Sequence, residues 1–241
     1  MIRISESHVV CTRSIIRCAH CGLHGLCIGK SGHEDVSLVD KLHVRQGTLA
    51  RGEVLFWSGQ RSAAFYALRS GCVKDVAMRP NGTESIVHFS LPGEVLGLGS
   101  LATSRAETTA IAVQSVRYCR VPAAAVHKLA EKMPDVGREL VRLLATKVMA
   151  TQQLVASVLD RDALARVAGC VLDISSRMQR SGLDGSRFRL GLSRSDLASY
   201  LGVTLETVSR CLAELHRRRL IEVHAKDLRL LRPADLKQLF G

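Results

Sequence analysis

Residues 193–218 read SRSDLASYLGVTLETVSRCLAELHRR, and this stretch decides the fold of the C-terminal third of the chain. Ser193 can cap a helix, with Asp196 three residues on completing a capping-box pattern. Leu197, Ala198 and Leu201 give that helix one apolar stripe, and Gly202 ends it. Thr204 can cap a second helix whose apolar face is Val208, Cys211, Leu212 and Leu215. Offsets of three and four then place Glu206, Ser209 and Arg210 in one row on the opposite face, near the N-terminal end. Such a row suits a helix laid in a DNA major groove, where N-terminal residues meet base edges. Arginine forks onto guanine, glutamate accepts from cytosine, and serine reaches either base type.

Working outward, Arg217, Arg218 and Arg219 follow directly and suit phosphates. Residues 220–233, LIEVHAKDLRLLRP, read as two short strands around Ala225–Asp227, a wing beside the helix pair. The helix pair alone is an ordinary solvated motif; the arginines and the wing make it a winged helix-turn-helix over 161–241. Thr204, Glu206, Ser209, Arg210 and Arg217 are its candidate DNA contacts.

Upstream, residues 44–121 break into short β-type runs punctuated by Gly: EVLFW, AFYALRSG, VKDVAM, ESIVHFSLPGEVLG, TAIAV and VRYCRV. Asn81-Gly82 is a hairpin signal between two of them. Many short strands with regular turns predict a β-roll of jelly-roll type over 36–133. With one Trp and five Phe in the chain, its core must be mainly aliphatic. Pro122 opens a short helix through Lys132. Asp135 to Leu159 then reads as one long helix, the centre of a segment spanning 134–160. Leu140, Leu144, Val148, Thr151, Val155 and Val158 recur along it at heptad-like intervals, a seam for pairing with a second copy. The same periodicity fits a helix packed on its own β domain; two DNA half-sites one turn apart favour a homodimer. Asp160 can cap the following helix, which runs to about Gln179. The fold class expected is α+β.

Forty-six per cent apolar residues over 241 positions can build two modest cores, and the net charge of +12 favours a polyanionic partner, nucleic acid before membrane. No apolar run approaches bilayer length, and residues 1–14 lack the apolar centre of a secretion signal. The expected compartment is the cytoplasm, where eight cysteines point to metal ligation or redox sensing rather than disulfides. Cys18, Cys21 and Cys27 form C-x2-C-x5-C within a Cys-, His- and Gly-rich loop over 1–35. Three thiolates so close can converge on one soft metal centre, with Cys119 or Cys11 as a fourth ligand. Spacing leaves three readings open: an iron–sulfur cluster, a zinc site helped by His20 or His24, and a thiol switch at Cys18 and Cys21. Cys72, Cys170 and Cys211 sit in apolar runs and read as core residues. No nucleophile–base pair or phosphate loop is convincing, so an enzyme, or an iron–sulfur electron carrier, accounts poorly for the base-reading row.

This order of Cys-rich loop, β-roll, long helix and winged helix resembles the CRP/FNR family of bacterial transcription regulators, over almost the whole chain. C-x2-C-x5-C at Cys18, Cys21 and Cys27, Cys119 before Arg120-Val121-Pro122, and TLETVSR ending in E-x-x-S-R at Glu206, Ser209 and Arg210 are similar to the oxygen-sensing FNR branch. The resemblance implies an oxygen-labile 4Fe–4S cluster on Cys18, Cys21, Cys27 and Cys119. It implies a homodimer that binds a palindrome of the TTGAT-N4-ATCAA type and recruits RNA polymerase while the cluster is intact. Oxygen would convert the cluster to a smaller form and weaken both dimer and DNA binding. Two departures stand out. Where cyclic-nucleotide-binding relatives place G-E-L and an Arg-Ser pair, this chain has Gly97-Leu98-Gly99, a lone Arg105 and Glu107, which argues against a cyclic nucleotide. Leu140 through Leu159 contains no Asp or Glu, whereas relatives carry acidic residues there that repel; the cluster-free protein is expected to dimerise more readily.

Overall fold

Residues 20–24, 44–61, 64–159 and 162–240 are described by the structure, a computed structural model. Eight strands come first: β1 (Arg45–Leu49), β2 (Val54–Phe56), β3 (Ala64–Ser70), β4 (Val73–Met78), β5 (Glu84–Ser90), β6 (Val95–Leu96), β7 (Thr109–Ala112) and β8 (Val116–Pro122). They form two antiparallel sheets, ordered β1-β8-β3-β6 and β2-β7-β4-β5. A four-residue helix, α1 (Ser100–Thr103), lies between β6 and β7. The period of two explains the packing. Ala64, Tyr66 and Leu68 of β3 and Val116 of β8 turn inward to meet Phe56, Val73, Ala110 and Ala112 of the second sheet. The alternate residues Phe65, Ala67 and Val121 turn outward to a second apolar cluster, built with two helices. Asn81-Gly82 makes the expected turn: Gly82 has φ +77°, and Asn81 Oδ1 accepts from the Thr83 N–H. Strand β1, RQGTL, lacks apolar alternation and forms because it pairs with β8 from Arg45–Arg120 to Leu49–Val116.

The outer cluster is covered by α2 (Ala123–Lys132) and the start of α3 (Pro134–Leu159). Val126, Leu129 and Val136 are buried there, and Leu140, Leu143 and Leu144 pack against them. Further along α3, Val141, Val148 and Val155 are 66%, 55% and 51% exposed. Within this chain the row of the expected seam divides at its first position. Leu140 faces the roll, and Val141 takes its place at the head of an exposed row spaced by sevens. Leu144 is also half-buried against the roll, Thr151 is exposed, and the side chain of Val158 lies outside the described residues.

Next come α4 (Ala163–Arg180), β9 (Arg187–Arg189), α5 (Arg194–Leu201), α6 (Leu205–Arg217), β10 (Ile221–His224), β11 (Asp227–Leu230) and α7 (Pro233–Phe240). The cap of α4 is Asp162, whose carboxylate accepts from the Ala165 N–H at 2.7 Å; Asp160, the expected cap, lies outside the described residues. One core joins α4, α5, α6, the small sheet β10-β11-β9 and α7 through Val167, Val171, Phe188, Leu197, Leu212, Ile221, Leu228 and Leu236. That core continues into the roll through Cys72, Phe89 and Leu91. Cys72, Cys170 and Cys211 are buried in it, as their apolar surroundings imply, and burial pushes the Cys170 thiol up to about 12. None of the helices among the described residues is long and apolar enough to cross a membrane.

Candidate DNA interface and cysteine site

Local chemistry fixes the helix pair. Ser193 Oγ accepts from the Asp196 N–H at 3.0 Å while the Asp196 carboxylate accepts from the Ser193 N–H at 2.9 Å, the reciprocal capping box. Gly202 ends α5 with φ +66° and ψ +38°, a left-handed turn that a side chain would strain. Two residues later Thr204 caps α6, its hydroxyl accepting from the Thr207 N–H at 3.2 Å. Val208, Cys211, Leu212 and Leu215 are buried as a single face. Opposite that face, Glu206 and Arg210 are exposed and Ser209 is half-buried. The Glu206 backbone N–H and Thr204 hold the Glu206 carboxyl below the usual carboxylate range, so it stays an acceptor.

Two features of the row were not legible beforehand. Arg194 at the start of α5 donates to Ser209 Oγ at 3.4 Å, which adds a cation beside the candidate DNA-contacting row. Arg217 is engaged with Glu214, Nε at 2.8 Å and Nη2 at 2.7 Å, and Arg218 Nε reaches the same carboxylate at 2.7 Å. The two arginines hold Glu214 down to about 2, so it remains charged beside them. The first residue of the arginine run thus starts from an ion pair, which any phosphate contact would have to displace. Behind α6, β10 and β11 form the expected wing, with Ala225 at φ +55° in its tip and β9 as a third strand.

The second site lies on the outer face of the roll. Cys119 sits mid-strand in β8, paired with Gln46 and Ala67, and points to the same cluster as Phe65 and Val121. Cys21 packs against that cluster too, from the short described segment 20–24. Its anchor is Leu23, 1% exposed in the roll's outer core, together with a 2.6 Å bond from the Gly22 N–H to the Gly93 carbonyl. The only sequence signal for that anchor is an apolar residue two places after Cys21. Cys18 and Cys27, like Cys11, lie outside the described residues. Two half-buried thiols at the edge of one apolar cluster fit a soft, partly shielded metal centre. Among the described residues no three His, Cys, Asp or Glu side chains converge.

In the roll's own loop, Arg105 Nη1 donates to the Gly59 carbonyl at 2.7 Å, and Arg61 bridges to Arg105 through the backbone. Gly97 has φ +84°, and a side chain there would meet the Ala64 carbonyl at 2.7 Å.

Comparison with known proteins agrees with this layout. Residues 165–239 match the Crp-like helix-turn-helix domain, and residues 46–133 match the cyclic nucleotide-binding domain. Over 239 residues the chain is 30% identical to transcriptional activator protein FnrA of Stutzerimonas stutzeri, covering 99% of this chain and 98% of that protein. It is 32% identical over 225 residues to transcriptional activator protein Anr of Pseudomonas protegens, covering 93% and 92%. The solved structure of FixK2 from Bradyrhizobium japonicum shares the fold, with TM-score 0.75 and 24% identity over 82% of this chain and 98% of that one.

Proposed function

The chain belongs to the CRP/FNR family, as a DNA-binding transcription regulator of the FNR/Anr type, and from that premise we propose that its DNA binding is gated by an oxygen-labile 4Fe–4S cluster on Cys18, Cys21, Cys27 and Cys119. One observation carries the reading. Cys21, Cys119 and the α3 residues Leu140, Leu143 and Leu144 all pack against a single apolar cluster. A bound cluster would supply a redox-sensitive tie between the N-terminal loop and β8. Close-packed cores transmit small displacements, so tying Cys21 to Cys119 fixes Leu23 and the leucines of α3 in one arrangement. That arrangement sets the exposed Val141, Val148 and Val155 row for pairing with a second copy. The paired helix-turn-helix units then read a palindrome of the TTGAT-N4-ATCAA type through Glu206, Ser209 and Arg210, with Thr204 at the helix start. In the bound state RNA polymerase is the further partner, and the regulator acts in the cytoplasm. The name of another relative, the anaerobic regulatory protein of Aggregatibacter actinomycetemcomitans at 28% identity, supports an anaerobic role.

The experiment is purification without oxygen, followed by iron, sulfide and zinc analysis and operator binding before and after air. About four irons and four sulfides per chain, bleaching in air together with lost operator affinity, are expected. Cys119→Ser should lose both the iron and the response. Zinc without sulfide, or an unchanged affinity in air, overturns the proposal.

A further inference from the structure

His20 lies between two of the proposed ligands, Cys18 and Cys21, yet its ring rests on the DNA-binding half of the chain. A side chain at Gly182, in the turn after α4, would place its first carbon 2.7 Å from His20 Cδ2 and 2.9 Å from Nε2. Gly182 itself has φ +69°, where any side chain is strained, and one placed there would push aside the exposed His20 ring. The roll joins the same junction. At Gly93 a side chain would run into Ser181 Oγ at 2.5 Å and the His20 carbonyl at 3.1 Å. Three segments remote in sequence therefore meet without room for one methyl group: the cysteine loop, the β5–β6 turn and the end of α4.

Each segment is held from behind. Gly22 donates to the Gly93 carbonyl, and Leu23 is buried in the roll. The last turn of α4 is closed by Ser181 N–H to the Arg177 carbonyl at 3.2 Å and Leu183 N–H to the Met178 carbonyl at 2.9 Å. Arg177 in turn grips Glu94 through Nε at 2.7 Å and Nη2 at 2.6 Å, donates to the Phe89 carbonyl, and lies over the Phe89 ring at 4.5 Å. From there α4 shares one core with α6, through Val167, Ala168 and Val171 against Val208 and Leu212.

We propose that the cysteine loop acts on the DNA-binding domain directly, with His20 seated on Gly182 as the positioning contact, in addition to acting through α3. The contact stands on its own geometry; that its signal is cluster state rests on the function proposed above. A displacement of the loop at Cys18 or Cys21 moves the ring against the end of α4, and the shared core passes that movement to the base-reading helix. The contact makes operator affinity responsive to the loop even when dimerisation is unchanged.

A double-mutant cycle on the full chain tests this, using His20→Ala, Gly182→Ala and the pair. Operator affinity, dimerisation by sedimentation, iron and sulfide content, and amide hydrogen exchange at residues 181–184 are measured with the metal centre intact and after its removal. The strain of a side chain at φ +69° is common to both backgrounds and cancels. Gly182→Ala should weaken operator binding at least about threefold more in the parent than in the His20→Ala background. Exchange at 181–184 should rise in His20→Ala, with dimerisation unchanged. Additive effects, with exchange at 181–184 the same in parent and His20→Ala, overturn the proposal. Gly182→Ala binds no metal itself, so a loss of iron confined to His20→Ala leaves the cycle readable in the metal-free proteins. If no preparation holds iron and sulfide, the proposed input fails while the cycle in that same protein still decides the contact.

Discussion

Lys74 on β4 and Asp196 on α5 form an ion pair at 2.7 Å, so the residue that completes the capping box of the first helix of the helix-turn-helix also ties that helix to the β-roll. Burial acts to raise the Asp196 carboxyl, but hydrogen bonds from Lys74 and Ser193 outweigh it and hold the group below the usual range. Ser199, on the same helix, accepts from the Ile86 N–H of β5 at 3.1 Å. Removing each partner should separate the two roles. Asp196→Ala loses cap and bridge together and should cost about 1–2 kcal/mol, whereas Lys74→Ala loses only a partly exposed pair worth about 0–1 kcal/mol. Urea unfolding measures both, and equal losses would mean that the bridge, not the cap, is the main contribution of Asp196.

Arg210 is exposed, with only a 3.4 Å contact to Thr207 Oγ1, so its guanidinium can turn to a base edge at little cost. Arg210→Ala should lose about 1–3 kcal/mol on the cognate operator and relax preference at one base pair. Arg217 starts from its ion pair with Glu214, so Arg217→Ala should weaken all DNA sequences alike and reduce the salt slope by about 1 at most. Binding titrations on single-base operator variants at several salt concentrations distinguish the two. A loss for Arg210→Ala that is uniform over all variants would reassign it to phosphate.

Much of this was readable from residue order because the signals were local. Ser193-x-x-Asp196, Gly202 and Thr204 act within one turn of chain, and the structure places all of them in the roles their spacing implies. VKDVAM became β4 residue for residue because its turns are marked on both sides. What stayed hidden depended on contacts across the chain. Leu140 and Val141 are adjacent and both apolar; only the position of the roll decides that the first packs inward and the second faces out. Strand β1 owes its existence to β8, and β9 joins the wing as a third strand that RFR does not announce. Cys119 read as one candidate ligand among others, because its place against the same outer cluster as Cys21 arises from strand register and from Leu23 buried in the roll.

A charged cluster links the roll to α3 and should shape the acid response. Asp75 on β4 and His88 on β5 are cross-strand partners, and Lys147 of α3 donates to His88 Nε2. Burial, helped by Lys147 and Arg177 and opposed by Glu94, lowers His88 from 6.5 to about 3. Burial raises Asp75 from 3.8 to about 6 against the pull of Lys147, and its Oδ1 is buried without a hydrogen bond. The signs oppose. Below pH 6.5 unfolding must protonate His88, so acid destabilises; between about 6 and 3.8 the native Asp75 holds a proton the unfolded chain releases, so acid stabilises. Asp75→Asn should raise stability at pH 7 and make it fall more steeply towards pH 4, by up to about 1.4 kcal/mol per pH unit. His88→Gln should do the reverse and flatten or invert the slope. Urea midpoints at pH 7, 5 and 4 measure this, and parallel slopes for the two variants would refute the assignment.

The exposed row on α3 offers the clearest test of pairing between copies. Val141, Val148 and Val155 are spaced by sevens and more than half exposed, and no Asp or Glu occurs from Leu140 through Leu159. In a parallel pair about a two-fold axis, equivalent residues at such positions meet each other, so one substitution acts twice. Val148→Glu would bring two carboxylates together in a seam otherwise free of acid and should weaken dimerisation by at least about tenfold, or 1.4 kcal/mol. Val141→Glu should act in the same direction. Leu140→Ala, by contrast, removes a contact with the roll and should lower the unfolding midpoint with a smaller effect on the dimer. Sedimentation equilibrium, with and without the metal centre, reads the dimer directly. A Val148→Glu protein that pairs as well as the parent would remove this row from the interface and leave α3 as a helix of its own subunit alone.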